Sequence, residues 1–104
     1  MSRNIAIILA ASISLSGPVA FGEPMLDVPH GAREAVATVD RFFEALTAGD
    51  LLRAGAELDP NVLILESGGA ERSAAEYLGG HAKGDAAVLK GAHHTLTHRT
   101  ARTS

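Results

Sequence analysis

This 104-residue chain has no cysteine and no tryptophan, and its aromatic residues are three phenylalanines and one tyrosine. The absence of cysteine excludes disulfide bonds and every metal site that needs thiolate ligands. The scarcity of aromatic side chains limits the core, because aromatic residues bury the largest areas. The fold must therefore be stabilised by aliphatic packing and hydrogen bonds.

The chain is also short of positive charge. It holds 9 Lys and Arg residues against 12 Asp and Glu residues, for a net charge of −3 with neutral histidines. Loss of Arg3 with the N-terminal segment described next would make this −4. A weakly acidic surface argues against nucleic acids and anionic membranes as partners.

The first 22 residues have the organisation of a signal peptide. One basic residue, Arg3, precedes an apolar run at residues 5–15, which is too short for a membrane span of roughly 20 residues. Small residues at Ala20 and Gly22 then match the positions that a signal peptidase reads. We expect cleavage between Gly22 and Glu23 and an exported product, periplasmic or secreted, that is not held in the membrane.

The remainder is long enough for one small domain and too short for two. Residues 23–31 contain two prolines and a glycine, so they predict an extended leader. Residues 32–104 contain no repeat, low-complexity tract or linker that would divide them. We assign them to a single domain.

Residues 36–47 predict an amphipathic helix. Apolar residues recur at intervals of three and four, which places Val36, Val39, Phe43 and Leu46 on one stripe. Gly49 can supply the left-handed residue that ends such a helix. We expect the stripe to face inward, against the strand predicted next.

A second helix and a strand follow. Asp50 is placed to cap a helix over residues 51–58, and the sequence Asp59-Pro60-Asn61 breaks it. The continuous apolar run at residues 62–65 then predicts a buried strand, and residues 67–69 a turn.

The third helix begins with a capping box. The Ser73 hydroxyl should accept a backbone N–H at the helix start, and the Glu76 carboxylate should accept the N–H of Ser73. We expect this helix to carry Tyr77 and His81 and to break near Lys83-Gly84. Asp85 would then cap a final turn. The threonine-rich residues 93–102 predict a strand.

This order of elements resembles the opening of the nuclear transport factor 2-like superfamily. The matching segments are FFEALTAGD at residues 42–50, LDPNVLILESGG at residues 58–69 and AERSAAEYLGGH at residues 70–81. The superfamily includes SnoaL-like polyketide cyclases and ketosteroid isomerase-like proteins, and it hosts enzymes, binding proteins and association domains on one scaffold.

The resemblance implies an α+β fold, a cystatin-like cone in which N-terminal helices pack on a curved antiparallel sheet. Such a sheet needs several long strands after the third helix, and this chain predicts one. The resemblance thus implies the N-terminal part of a cone, incomplete at the C-terminus. We expect the isolated product to be partly unfolded, aggregated or rescued by pairing with another chain, with residues 93–102 as the exposed edge for that pairing.

Glu66, His81 and Asp85 form the candidate acid/base site. If a helix continues through Gly84, His81 and Asp85 share one face at a spacing of four residues. A carboxylate beside an imidazole orients the ring and raises its basicity, so with Glu66 nearby the set could transfer protons or form part of a metal site. The structural alternative is that Glu66 starts a solvated turn while His81 and Asp85 form an exposed pair.

Tyr77, the sole tyrosine, is the candidate ligand-binding residue, because its hydroxyl could donate a hydrogen bond into a pocket. The alternative is a core position with the hydroxyl at the rim. By resemblance, catalytic relatives place Asp, Glu, His and Tyr inside the cone. No family motif is matched residue by residue, so no role is transferred to this chain.

The histidines near the C-terminus are not expected to bind metal. On a strand His93 and His94 point to opposite faces, and His94 lies about 13 Å from His98 at ~3.3 Å per residue. Zinc–nitrogen bonds of ~2.0–2.1 Å cannot bridge that distance. We assign no metal ligand and expect no cofactor.

Three functions are compatible with these observations. The first is an exported protein that binds a small apolar molecule, or a SnoaL-like protein whose activity is not assigned. The second is an acid/base enzyme of the resembled superfamily, an isomerase, dehydratase or cyclase. The third is an interaction module that forms a homodimer through its sheet. A closed apolar pocket with inward-facing carboxylates would favour the enzyme, an empty pocket would favour binding, and an exposed sheet face would favour assembly.

Overall fold

A computed structural model describes the backbone of residues 5–14 and all of residues 23–104. These residues contain both helices and sheets, so the predicted α+β class is confirmed. The strands are β1 (Ile5–Ser14), β2 (Met25–Asp27), β3 (Ile64–Glu66), β4 (Gly69–Glu71) and β5 (His93–Thr103). The helices are α1 (Arg33–Thr47), α2 (Leu51–Ala56), α3 (Ala74–Gly79) and α4 (His81–Lys90).

The predicted signal peptide falls partly outside this description, which omits residues 1–4 and 15–22. The cleavage site between Gly22 and Glu23 lies at the boundary, and export stays a prediction. In the part of the chain that the structure describes, no helix combines the length and hydropathy that a membrane span requires.

The chain divides into two units, of which the first comprises residues 1–37 and 92–104. Its sheet has β5 at the centre, antiparallel to β1 and parallel to β2. The strand predicted at residues 93–102 is thus confirmed, with Thr103 added. Ala32, Val36 and Ala101 form a small buried cluster against which Val28 packs.

The central place of β5 has a consequence for an exported product. Cleavage after Gly22 would remove β1 and leave the edge of β5 that pairs with β1 without a partner. The other edge of β5 pairs with β2 over only three residues. An unpaired edge is a template for another strand. Pairing of the processed chain with another chain through residues 93–102 stays a prediction. The edge available for it would be the one that β1 occupies in the full chain.

The second unit, residues 38–91, contains the rest of α1, then α2, the β3–β4 hairpin, α3 and α4. Its buried apolar residues are mostly small: Ala45, Leu46, Ala54, Tyr77, Ala82 and Ala86. Alanine adds little buried area but lets helices approach closely. Tyr77 supplies the largest side chain of this set.

The predicted boundary between the first two helices is confirmed. Gly49 has a φ of 74°, a left-handed conformation that favours glycine. The Arg53 N–H donates to Asp50 Oδ1 at 3.1 Å, which is the predicted N-cap of α2. The Asn61 N–H donates to Asp59 Oδ1 at 2.8 Å, so the turn after α2 is also held by its own aspartate.

The predicted inward stripe of α1 is only partly correct. Val36 and Leu46 are buried and Val39 is half-buried, but Phe43 is 42 % exposed. The spacing placed Phe43 correctly on the apolar side, yet it lines an open cavity rather than a packed core. The prediction that Phe43 is a core residue was wrong.

The strand predicted at residues 62–65 is not buried, and it begins and ends at other residues than predicted. Its ladder begins at Ile64 and ends at Glu66, and Leu63 and Leu65 are exposed. The reason is the size of the sheet. Alternate residues point to opposite faces, and a two-stranded hairpin leaves one of its faces without a covering layer.

The third helix ends earlier than predicted. Gly80, with φ −127° and ψ −104°, separates α3 from α4. The helix that runs through Gly84 is α4. Asp85 consequently lies inside α4 and caps nothing. The Ser73 cap is confirmed by the Glu76 N–H, which donates to its hydroxyl at 3.0 Å. The Glu76 carboxylate, however, accepts from the backbone N–H of Arg72 at 2.8 Å, not from that of Ser73.

We expect Asp50→Ala to lower the free energy of unfolding by about 1 kcal/mol, because it removes the acceptor at the start of α2. Asp50→Asn is the matched control, since its side-chain oxygen can accept the same N–H. Urea denaturation followed by circular dichroism measures both variants. Equal stability of the alanine variant and the wild type would contradict the cap.

Candidate functional site

The β3–β4 hairpin places two glutamates on one face. Its two-residue turn contains Gly68 at a φ of 92°, which favours glycine at that position. Ile64 pairs with Glu71, and Glu66 pairs with Gly69. Because paired residues and residues two apart share a face of a sheet, Glu66 and Glu71 project on the same side.

The break between α3 and α4 brings three further groups toward the hairpin. Tyr77 lies in α3, His81 is the first residue of α4, and Asp85 follows one turn later. The non-helical backbone of Gly80 changes the direction of the chain between Tyr77 and His81. One continuous helix would have placed Tyr77 and His81 on the same face. Here the two side chains hydrogen-bond to different partners.

His81 pairs with the glutamates of the hairpin. Its Nδ1 is hydrogen-bonded to Glu71 Oε1, and the same nitrogen lies 3.6 Å from Glu66 Oε2. The Glu71 residue is only 5 % exposed. The His81 side chain is 65 % exposed. The buried Glu71 carboxylate is therefore hydrogen-bonded to an imidazole ring that is itself exposed to solvent.

Tyr77 pairs with Asp85 instead. The buried Tyr77 hydroxyl donates to Asp85 Oδ2 at 2.8 Å. The centre of its ring lies 6.3 Å from that of Phe42, so the tyrosine joins an apolar wall to a carboxylate. The Tyr77 side chain is thus buried, with its hydroxyl proton given to a carboxylate of the same chain, and its role in ligand binding stays a prediction.

The electrostatics of the cluster favour protonated states. The pKa of Glu66 is raised, first by a hydrogen bond with the Asp85 carboxyl and then by burial and the charges of Asp85 and Glu71. Burial raises the pKa of the Tyr77 hydroxyl, and its hydrogen bond to Asp85 adds to this shift. The hydrogen bond to Glu71 and the charge of that glutamate raise the pKa of His81.

A cavity of about 450 Å³ lies beside this cluster within the second unit. Its lining is mainly apolar, with three polar side chains, Glu66, Tyr77 and Asp85. The apolar lining residues are Phe42, Phe43, Leu46, Leu58, Ile64, Leu65, Val88 and Leu89. The cavity thus combines an apolar wall with one polar region.

The structure brings all four candidate residues into one region but separates His81 from the other three. Glu66 and Asp85 line the cavity together with Tyr77, whereas His81 is not among its lining residues. His81 and Asp85, predicted to share a helix face, take separate hydrogen-bond partners. Glu66 is the side chain that faces both groups.

Glu71 is the site residue that sequence reasoning missed. The predicted turn at residues 67–69 and the predicted helix start at Ser73 leave Glu71 outside every predicted element. The signal that could have found it is the Ser67-Gly68 pair between two short extended segments, which is typical of a two-residue hairpin. That register puts Glu71 opposite Ile64 and beside Glu66.

Comparison with known protein families, with curated proteins and with solved structures gives no match. The resemblance to the nuclear transport factor 2-like superfamily stays a prediction from the sequence. The function must consequently be inferred from the residues of the site.

In chelator-treated protein we expect NMR titration to give His81 a pKa above its usual value of about 6.5, with Glu71→Gln moving it back down. A pKa raised by folding contributes stability that is fully present below the unfolded-state pKa and is lost as pH rises through the folded pKa. The stability difference between the wild type and His81→Asn should therefore shrink as pH increases over that range. A normal His81 pKa that does not respond to Glu71→Gln would contradict this geometry.

Proposed function

We propose that this protein binds a small, mainly apolar molecule that carries one polar group. The observation that supports the proposal is the cavity, whose wall is aliphatic and aromatic except for Glu66, Tyr77 and Asp85. Ligand pockets of proteins are typically about 300–1,000 Å³, apolar, and fitted with a few polar groups that orient the ligand. The volume of about 450 Å³ lies within this range.

The polar region selects for hydrogen-bond donors on the ligand. Asp85 accepts from Tyr77 through Oδ2, and the Glu66 carboxyl lies beside Asp85. A hydroxyl or amine on the ligand could donate to this carboxyl pair, while an anionic group would be repelled by it. We infer that a neutral or cationic ligand with a single donor is preferred.

We also propose that the α+β fold is the N-terminal part of a nuclear transport factor 2-like cone in an exported protein. The support is the order of elements: a long amphipathic helix, a glycine stop, a capped short helix, an Asp-Pro turn and a strand. Phe43 and Leu65 line the cavity, as helix and sheet residues would in a cone whose interior binds ligands.

An acid/base enzyme is the second candidate, favoured by two carboxyls and a phenol on the cavity wall. A carboxylate could remove a proton from a carbon next to a carbonyl, while a protonated neighbour donates to the oxygen. Incubation with a β,γ-unsaturated ketone in D₂O tests for this chemistry. Deuterium incorporation that Glu66→Gln abolishes and Glu44→Gln leaves unchanged would favour the enzyme; no incorporation would leave binding as the function.

The test of binding uses N-phenyl-1-naphthylamine, a neutral apolar fluorophore with one N–H donor. We expect saturable fluorescence enhancement and an affinity at least threefold weaker for Phe43→Ala, because Phe43 lines the cavity and is 42 % exposed. Leu52→Ala is the control, because Leu52 is 88 % exposed and does not line the cavity.

Two outcomes would contradict the proposal. One is the absence of saturable binding by folded protein. The other is equal loss of affinity in the Phe43 and Leu52 variants, since the probe would then be adsorbing to exposed apolar surface. Circular dichroism confirms that each variant is folded before it is titrated.

A further inference from the structure

Glu66, Glu71 and His81 each offer one metal-ligand atom, and these atoms lie within 4.8 Å of one another. We propose that they form a binding site for one divalent cation of the zinc type. The proposal goes beyond ligand binding in the cavity, because Glu71 and His81 do not line it. The cation needs no apolar ligand, so either proposal can fail without the other.

The spacing of His81 and Glu66 suits such an ion. Two ligands with zinc bonds of about 2.0–2.2 Å at a tetrahedral angle lie about 3.4 Å apart. His81 Nδ1 is 3.6 Å from Glu66 Oε2 and is hydrogen-bonded to Glu71 Oε1. An ion would replace the proton on Nδ1, and binding it would require Nδ1 and Glu71 Oε1 to separate from direct contact to about 3.4 Å.

The state of Glu71 gives an independent reason for a cation. The residue is 5 % exposed, and its Oε2 atom is buried without a hydrogen-bond partner among the described residues. A buried carboxylate oxygen without a partner is costly, and metal coordination is one of the ways in which proteins satisfy such groups. Glu71 could use this second oxygen for bidentate binding.

The charges around the site point the same way. Two glutamates face one imidazole, and within the described residues their ion pairs at 4.0 Å or less are with His81 alone. Asp85 adds a third carboxyl next to Glu66. The site thus carries more negative charge than His81 can neutralise, which favours a dication over a monovalent ion.

The donor set decides which dication. One imidazole nitrogen and two carboxylates suit zinc and its first-row neighbours, whereas calcium and magnesium prefer ligand sets made of oxygen. Three protein ligands also leave a coordination position for water, as in catalytic zinc sites. The 65 % exposure of the His81 side chain gives the ion a path from solvent.

Isothermal titration of the chelator-treated full chain with zinc chloride tests the proposal. We expect one ion per chain, with binding at least tenfold weaker in His81→Asn and in Glu71→Gln. The matched controls are His93→Asn, an exposed histidine on β5, and Glu44→Gln, an exposed glutamate on α1. Both controls should bind zinc as the wild type does.

A second measurement avoids dependence on the folding of the Glu71 variant. In wild-type protein, zinc should shift the imidazole NMR signals of His81 and leave those of His93 and His94 in place. The proposal is overturned if zinc does not bind, if it binds equally well to His81→Asn, if the His93 signals respond instead, or if calcium binds as tightly as zinc.

Discussion

The carboxylate of Glu71 is buried, and the geometry of the site depends on how that charge is satisfied. A charged group removed from water is stable only when a partner compensates the lost hydration. Here the partner is the His81 ring, which meets Glu71 at the surface. Two backbone features make the meeting possible: the tight hairpin turn before β4 and the break at Gly80 before α4. Without either, a buried charge would be left unpaired.

Glu66 connects this pair to the cavity. On one side its carboxylate lies 3.6 Å from His81 Nδ1, and on the other it lines the cavity with Asp85, whose carboxyl raises the pKa of Glu66. A ligand that hydrogen-bonds to Asp85 would change the field at Glu66, and a cation at His81 would do the same from the opposite side. The two proposed sites are therefore expected to influence each other, with reciprocal effects on affinity.

The local features of this fold were predictable from the sequence, because they depend on residues close in the chain. The Asp50 and Ser73 caps and the left-handed Gly49 follow from side-chain chemistry that acts over three or four residues. The exposure of Phe43 and Leu65 did not follow, because spacing predicts which side of an element is apolar, not whether a neighbour covers it. Glu71 was missed for a related reason. Its role depends on the register of a hairpin with three-residue strands, too short for the alternation of residues to be evident.

The most direct test of this account is the tautomer of His81 in metal-free protein at a pH above its raised pKa. If the ring donates from Nδ1 to Glu71, neutral His81 must carry its proton on Nδ1. Long-range ¹H–¹⁵N correlation NMR distinguishes the two ring nitrogens. The account predicts the Nδ1–H tautomer in the wild type and its loss in Glu71→Ala. A wild-type His81 protonated on Nε2 would show that the imidazole does not partner the buried carboxylate.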